Sequence, residues 1–334
     1  MTSDPTEPVG SPRRLDFTKG HGTENDFVLV PDAQGSIPLS PSEVAWLADR
    51  RAGIGGDGVI RVVPTALAGE PAVMDQASDA RWFMDYRNAD GSVAEMCGNG
   101  TRVFAAYLRR EGLEQDPEFA IATRAGLKHV RVGAGGGHGD GGHGGDGRGA
   151  GARETGETAY AVNLGPWRLS SPAEAAAQGS DALVKVDDHE AVPALSLDLG
   201  NPHTVVMLPA GRELDELDLT RAPFVQPTPL EGTNVEFVQV LGPGHIRMRV
   251  HERGVGETRS CGTGAAAAAL AVRWWAGGGD AGADGAPRDQ VTDLWRVDVP
   301  GGTVHVRALP GDQVELSGPA ALVADGTVEL PPRR

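Results

Sequence analysis

The sequence predicts an α+β protein built from two related modules, and three observations support this prediction. Short alternating segments typical of strands outnumber helical segments along the 334-residue chain. The string Cys-Gly-x-Gly occurs twice, at residues 97–100 and 261–264, and each copy continues directly into an apolar, helix-forming segment. A turn rich in glycine and charged residues precedes each copy. Two such elements in matched contexts indicate a duplicated module.

The first helix has the clearest start signal. Ser40 is the predicted N-cap, Pro41 the first helical residue, and Glu43 completes a capping box. We expect this helix to extend to about residue 51 and to stop at Gly53.

Strands are predicted where apolar and polar residues alternate between turn signals. They are expected at residues 15–18, 27–30, 59–63, 80–86, 127–132, 160–164, 295–299, 303–307, 314–317 and 327–330. The pair at 127–132 and 160–164 flanks a Gly-rich segment. The simplest arrangement is therefore a hairpin with an expanded loop.

Two segments are expected to lie outside the packed modules. Residues 1–14 form a polar, Pro-rich predicted tail, and residues 133–156 form a Gly-rich predicted loop with too little apolar surface to offset its chain entropy. His138 and His143 in that loop lack a rigid scaffold, so no metal site is predicted there. The rest of the chain is expected to form an N-terminal module at 15–126, rejoined by 318–331, and a C-terminal module at 127–317.

Composition excludes several functions. The 30 basic and 46 acidic residues give a net charge of −16, which argues against a nucleic-acid or anionic-membrane partner. No apolar run reaches the ~18 residues of a membrane span, and the N-terminus has no apolar signal region, so a cytoplasmic protein is expected. Only three lysines are available for a pyridoxal-phosphate Schiff base. The two cysteines have neither disulfide-framework nor metal-ligand spacing.

The chemistry is predicted from the paired motifs. A cysteine at a helix N-terminus faces unpaired N–H groups and the positive end of the helix dipole, so we expect a lowered thiol pKa at Cys97 and Cys261. Gly98 and Gly262 leave room for a carboxylate to approach the same amides. One thiolate can then remove a proton from a carbon while the other thiol returns one to the opposite face. The motifs predict a cofactor-independent racemase or epimerase of an amino acid, acting in a cleft between the modules. The non-enzyme alternative is a duplicated ligand-binding module with incidental cysteines.

Eight strings together make the chain resemble the diaminopimelate epimerase family, and they occur in the family's order from residue 15 onward. They are His21-Gly22-Thr23-Glu24-Asn25-Asp26-Phe27, Gly53-Ile54-Gly55-Gly56-Asp57-Gly58, Asn88-Ala89-Asp90-Gly91-Ser92, Cys97-Gly98-Asn99-Gly100, Gly200-Asn201-Pro202-His203, Thr233-Asn234-Val235, Glu252-Arg253-Gly254 and Cys261-Gly262-Thr263-Gly264.

The resemblance implies two pseudo-symmetric modules, each a curved, mostly antiparallel sheet around a central helix. It also implies interconversion of LL- and meso-2,6-diaminoheptanedioate, in lysine and peptidoglycan precursor biosynthesis, by a homodimer without cofactor or metal. Cys97 and Cys261 would be the catalytic acid–base pair, with His203 and Glu252 tuning the thiols. The implied substrate contacts are Asn25, Asn88, Gly98, Asn99, Asn201, Asn234, Glu252, Arg253, Gly262 and Thr263.

Two points stay open at this stage. A proline- or hydroxyproline-type racemase shares the two-cysteine logic, although the Glu-Arg-Gly segment and the asparagines favour a substrate with two carboxylates and two ammonium groups. The chain also has Gly58 where many family members have a glutamine, so the resemblance implies no substrate contact at this position.

Overall fold

The computed structural model describes residues 13–134, 158–186, 189–278 and 292–331. Residues 1–12 of the predicted tail and 135–156 of the predicted Gly-rich loop, with His138 and His143, lie outside the described residues. The helices are α1 (Pro41–Ala48), α2 (Pro71–Met74), α3 (Gly98–Arg110), α4 (Pro172–Gln178) and α5 (Gly262–Arg273). The strands are β1 (Arg14–Gly22), β2 (Asn25–Pro31), β3 (Gly58–Pro64), β4 (Trp82–Asn88), β5 (Glu118–Ile121), β6 (Lys128–Ala134), β7 (Thr158–Pro166), β8 (Arg168–Leu169), β9 (Ala182–Lys185), β10 (Val192–Asp198), β11 (Pro202–Met207), β12 (Phe224–Gln226), β13 (Asn234–Gly242), β14 (His245–Glu252), β15 (Gly256–Thr258), β16 (Leu294–Val299), β17 (Gly302–Leu309), β18 (Gln313–Pro319) and β19 (Ala321–Glu329).

Within the described residues the strands form two sheets, in which antiparallel pairs predominate. The smaller sheet has the order β19-β1-β2-β3-β4. The larger follows the order β12-β9-β10-β11-β13-β14-β16-β17-β18-β7-β6-β5, with β15 added beside β14 and β8 beside β10. Three pairs are parallel, β2 with β3, β11 with β13, and β14 with β16. The architecture is therefore α+β, as the sequence predicts.

Two helices lie at the centre of these sheets. Helix α3 packs against β1 to β4 and β19 of the smaller sheet and against β7 and β18 of the larger one. Helix α5 packs against β10, β11, β13, β14 and β16 to β18. Nearly every residue of both helices is buried. Helix α5 is apolar on almost all sides, whereas α3 also buries Asn99, Thr101 and Arg102. Both contribute to one continuous hydrophobic core, and strand β18 contacts both of them.

The first helix begins as predicted but ends earlier. The Ser40 side chain accepts from the Glu43 amide at 3.3 Å while the Glu43 carboxylate accepts from the Ser40 amide at 2.7 Å, which is the predicted capping box. The predicted end near residue 51 is wrong, since α1 stops at Ala48. The reason is Asp49, whose carboxylate accepts from the next two free amides, of Arg51 and Ala52, and closes a turn.

The hairpin prediction is confirmed, because β6 and β7 pair antiparallel with Val130 opposite Val162. The last predicted strand, at 327–330, starts earlier in the structure, since β19 begins at Ala321. Strand β19 pairs with β1 and so returns the chain to the smaller sheet. Strand β5 pairs with β6 in the larger sheet.

Candidate active site

Cys97 and Cys261 occupy equivalent positions at the starts of the two central helices. Each is an N-cap residue with extended backbone, at φ −140° and ψ 121° for Cys97 and φ −118° and ψ 116° for Cys261. Each sulfur accepts a hydrogen bond from the amide three residues later, Gly100 N at 3.5 Å and Gly264 N at 3.4 Å. The thiol therefore takes the place of the Ser or Asp oxygen usual at this position.

The two helix starts also approach each other. A Cβ placed on Gly98 would lie 3.2 Å from Leu316 Cδ2, and one placed on Gly262 would lie 2.9 Å from the same methyl group. The Gly262 Cβ would also be 3.1 Å from Asn99 Oδ1. A side chain at either position would press on the Leu316 side chain, so both helix starts lie against the same residue.

Asn25 is oriented toward the first thiol. Its Nδ2 donates to Asp57 Oδ2 at 2.7 Å, so its Oδ1 faces Cys97 Sγ at 3.8 Å and accepts from Asn99 Nδ2 at 3.1 Å. Asp57 is held in turn by Arg50, at 2.7 Å. The hydrogen bonds of Asp57 with Arg50 and Asn25 thus orient the Asn25 amide so that its oxygen faces the thiol.

The second thiol has a comparable polar surround. His203, which is fully buried, has its Nδ1 2.7 Å from Glu236 Oε1 and its Nε2 3.0 Å from Asn201 Oδ1. Asn201 Nδ2 donates to Thr263 Oγ1 at 3.3 Å, and this hydroxyl lies 3.7 Å from Cys261 Sγ. His203 is therefore linked to the helix start of Cys261 through two side chains.

A buried network joins the two halves of the site. Asn99 Nδ2 donates to Ser260 O at 3.2 Å, and Ser260 Oγ lies 2.7 Å from Thr23 Oγ1. Arg102, fully buried, donates to Asn99 Oδ1 at 2.5 Å, to Thr23 Oγ1 at 3.2 Å and to Pro319 O at 2.7 Å. Burial lowers the pKa of Arg102 to about 10, partly offset by the charge of Cys97.

The expected lowering of the thiol pKa values is wrong. Burial, opposed by the Gly100 amide and reinforced by the charge of Glu252, raises the pKa of Cys97 to about 11. Burial and the charges of Glu252 and Glu236 raise the pKa of Cys261 well above its usual value. The helix N-terminus does favour the thiolate, but desolvation and two nearby carboxylates outweigh it.

The predicted residues Glu252, Asn234 and Arg253 lie at or directly after the end of β14 and at the start of β13. Glu252 is bonded to the Thr258 hydroxyl and interacts with Cys261, and burial raises its pKa. Asn234 Oδ1 accepts from the Arg253 amide at 2.9 Å. Arg253 is exposed, donates to Glu231 O at 2.8 Å and forms no ion pair with any described residue. Of these three side chains, Glu252 is the one that interacts with Cys261.

Asn88 lies at the end of β4, opposite Gly58 of β3. Its Nδ2 donates to Ser92 Oγ at 3.0 Å, which is the local bond expected of a turn residue. A direct link from Asn88 to either thiol is absent among the described residues.

Sequence reasoning missed five polar residues of the site, namely Thr23, Asp57, Arg102, Glu236 and Ser260. Two of them carried a usable signal. Arg102 is a charged residue inside an apolar helix, and Glu236 interrupts the apolar strand segment 235–240, so both had to be buried with partners. Ser260 precedes Cys261 directly, but nothing in the sequence shows that it meets Asn99.

No three His, Cys, Asp or Glu side chains of the described residues are grouped so that they could hold a metal ion. Among the helices of the described residues, none has both the length and the apolar composition needed to cross a bilayer.

The architecture is shared with solved structures. A PhzF-family phenazine biosynthesis protein from Bacillus anthracis superposes with a TM-score of 0.59 at 17% identity, covering 95% of this chain and 100% of that one. A hydroxyproline epimerase from Agrobacterium vitis, with bound trans-4-hydroxy-L-proline, gives a TM-score of 0.56 at 14% identity, covering 95% and 93%. The chain therefore has the two-module α+β fold of these solved structures.

Sequence comparison is more specific. Residues 17–139 and 195–323 match the family model for diaminopimelate epimerase. The diaminopimelate epimerase of Streptomyces coelicolor is 44% identical over 316 residues, covering 94% of this chain and 95% of that protein. That of Rhodococcus jostii is 44% identical over 324 residues, covering 94% and 97%. The chain belongs to the diaminopimelate epimerase family.

Proposed function

We propose that this protein is a diaminopimelate epimerase, which interconverts LL- and meso-2,6-diaminoheptanedioate without a cofactor and supplies lysine and peptidoglycan precursors. The observation that carries the proposal is the equivalence of the two cysteines, each an N-cap whose sulfur accepts from the glycine amide three residues on. Membership of the family supports the choice of substrate.

In the proposed reaction one thiolate removes the α-proton and the opposite thiol delivers a proton to the other face of the same carbon. The electron pair left on the carbon is delocalised into the α-carboxylate. The first N–H groups of α3 and α5 have no intrahelical acceptor and would stabilise that carboxylate as its charge grows. In the reverse direction Cys97 and Cys261 exchange roles.

Because the thiol pKa values are raised, the bound substrate is expected to help form the thiolate that deprotonates it. In the ligand-free site both thiols stay protonated, because burial and the charge of Glu252 raise the pKa of both and Glu236 adds to the effect at Cys261. A substrate ammonium bound near these carboxylates would offset their charge and so stabilise a thiolate. Proton transfer is then confined to the closed, occupied site, where the carbanion is protected from water.

The substrate-contacting set follows the family resemblance, and its geometry supports that assignment. Asn25, Asn99, Asn201 and Thr263 each reach a thiol directly or through one intervening side chain. The resemblance assigns Gly98 and Gly262 to the substrate as well. His203 and Glu252 are assigned to tune Cys261. The distal carboxylate is assigned to Arg253, and Asn88 and Asn234 are assigned as further substrate contacts, as the resemblance implies.

Further proposals concern organisation. We infer that the enzyme acts as a cytoplasmic homodimer, which the family resemblance supports. The modules are taken as 15–126 with 318–331 and as 127–317, and the pairing of β19 with β1 supports the return of the chain to the first module.

The testing experiment compares substrates. Purified protein is incubated with LL-diaminopimelate and, separately, with L-proline and trans-4-hydroxy-L-proline, and the stereoisomers are resolved by chiral chromatography. We expect meso-diaminopimelate from the first and no inversion of the others. Inversion of proline or hydroxyproline with diaminopimelate unchanged would select the proline-type racemase instead. Binding of diaminopimelate without inversion would select the ligand-binding module.

A further inference from the structure

Tyr86 occupies the space beside Gly58. It lies on β4, is 8% exposed, and packs edge-to-face against Phe27 with ring centroids 5.8 Å apart. A Cβ placed on Gly58 would be 2.6 Å from Tyr86 Cε2 and 3.3 Å from the Tyr86 hydroxyl oxygen. The tyrosine ring therefore lies across Gly58, where a longer side chain at this position would otherwise extend.

The hydroxyl of Tyr86 has no hydrogen-bond partner among the described residues. A few polar side-chain atoms of the described residues are fully buried without a hydrogen-bond partner, and the Tyr86 hydroxyl oxygen is not among them. Since this oxygen also lacks a partner, it must reach solvent-accessible space. A tyrosine whose ring is buried usually places its hydroxyl against a partner. Here the ring is held by Phe27 and the backbone of β3, and the polar end is left for a ligand.

The packing of the ring places Tyr86 on the Cys97 side of the site, because the Phe27 ring against which it lies has its Cε1 3.5 Å from a Cβ placed on Gly100, whose amide donates to Cys97 Sγ. Burial raises the pKa of Tyr86 well above its usual value, and the charges that raise it further are those of Cys97, Glu252, Asp57 and Cys261. These charges agree with the placement that the packing of the ring gives. It stays protonated at any pH at which the protein works, so it acts as a neutral hydrogen-bond donor.

We propose that Tyr86 contacts the substrate directly, donating its hydroxyl hydrogen to a carboxylate of the amino acid bound between Cys97 and Cys261. A carboxylate is the fitting partner because a neutral phenol offers it a donor, whereas the carboxylate of Glu252 already offers an acceptor to an ammonium group. This inference rests on the proposed function and assigns one more specificity-determining residue to it.

The test is Tyr86→Phe, which keeps the ring that packs on Gly58 and Phe27 and removes only the oxygen. The matched control is Tyr107→Phe, on α3. Tyr107 is 5% exposed, and the charges around its phenol come from Glu111, Arg110, Asp325 and Asp16, with neither thiol among those named. KM and kcat for LL-diaminopimelate and the thermal unfolding midpoint are measured for each variant.

We expect Tyr86→Phe to raise KM about tenfold, the loss of one hydrogen bond to a charged group, with an unchanged unfolding midpoint. Tyr107→Phe should leave KM at the wild-type value. An active wild type with unchanged KM in Tyr86→Phe would overturn this inference and leave the proposed function standing. A lowered midpoint with kcat reduced and KM unchanged would assign Tyr86 to packing. A wild type that does not act on diaminopimelate would overturn both.

Discussion

The side-chain amide of Asn99 donates a hydrogen bond to the main-chain carbonyl of Ser260, at 3.2 Å. Asn99 lies two residues after Cys97, and Ser260 lies directly before Cys261. One bond between positions 161 residues apart in sequence therefore joins the loops that carry the two thiols. The buried Arg102 donates to the side-chain oxygen of the same asparagine and so stabilises this connection.

Replacing either thiol should stop the reaction. We expect Cys97→Ala and Cys261→Ala to abolish epimerisation, and the corresponding serine variants to retain only a trace, because a hydroxyl is a far weaker acid than a thiol. Initial rates with LL- and with meso-diaminopimelate measure the effect in both directions. Turnover near the wild-type rate in either alanine variant would contradict the two-thiol mechanism.

The reactivity of the thiols toward alkylation should increase mainly at high pH. Because the pKa of Cys97 is raised to about 11, the rate of alkylation by iodoacetamide in the absence of substrate should still be increasing above pH 9. Glu252→Gln removes a charge that raises the pKa of both thiols, so its profile should shift to lower pH. A wild-type rate that reaches its plateau below pH 8, or an unshifted profile in Glu252→Gln, would show that burial and Glu252 do not control the thiols.

Oxidation should link the two cysteines. Their helix starts pack on the same methyl group of Leu316, and a disulfide needs Cα atoms within about 7 Å. Because both pKa values are raised, we expect slow loss of activity in air at neutral pH, faster loss above pH 9, and recovery with a thiol reductant. Non-reducing peptide mapping should reveal a Cys97–Cys261 crosslink that bound substrate prevents. Long aerobic storage at pH 9 without this crosslinked peptide would contradict a shared site.

A buried charge cluster should control stability. Asp85 accepts from Arg61 at 2.9 Å, Arg87 at 3.2 Å and Arg124 at 2.6 Å. Although burial opposes it, the hydrogen bond from Arg124 and the charges of these arginines lower the pKa of Asp85. Asp85→Asn should therefore reduce the free energy of unfolding by about 1.5–3 kcal/mol at pH 7, since it removes the carboxylate that three arginines share, although Arg61 keeps Asp32 and Arg124 keeps Glu70.

Urea unfolding of wild type and Asp85→Asn measures this difference. The carboxylate contributes fully above its unfolded pKa of about 4, so the difference should shrink as the pH falls through and below that value. The control is Asp325→Asn, which removes an exposed partner of Arg110 and should leave the transition unchanged. Equal stability of Asp85→Asn and wild type, or a difference that grows on acidification, would contradict this role.

Much of the site could be predicted because its signals are local. The Cys-Gly-x-Gly strings directly precede apolar segments, and a cysteine at the start of a helix lies beside unpaired backbone N–H groups in any fold. The thiol pKa values could not be predicted, since they depend on burial in the folded protein and on Glu252 and, at Cys261, Glu236, which lie far from the cysteines in sequence or on other elements. The early end of α1 at Ala48 depends on an Asp49 side-chain turn that competes with the helical pattern. The contact of Tyr86 with Gly58 arises from strand pairing and has no sequence signature.

The most direct test of the account is the isotopic content of both stereoisomers early in the reaction in deuterium oxide. LL-diaminopimelate is added to the enzyme, and the two isomers are separated and analysed by mass spectrometry at less than about one tenth conversion. Two thiols on opposite faces predict meso product carrying one deuteron at the inverted carbon and remaining LL substrate carrying almost none. Product that retains the original proton, or substrate labelled as fast as product, would contradict the central claim that Cys97 and Cys261 act from opposite faces.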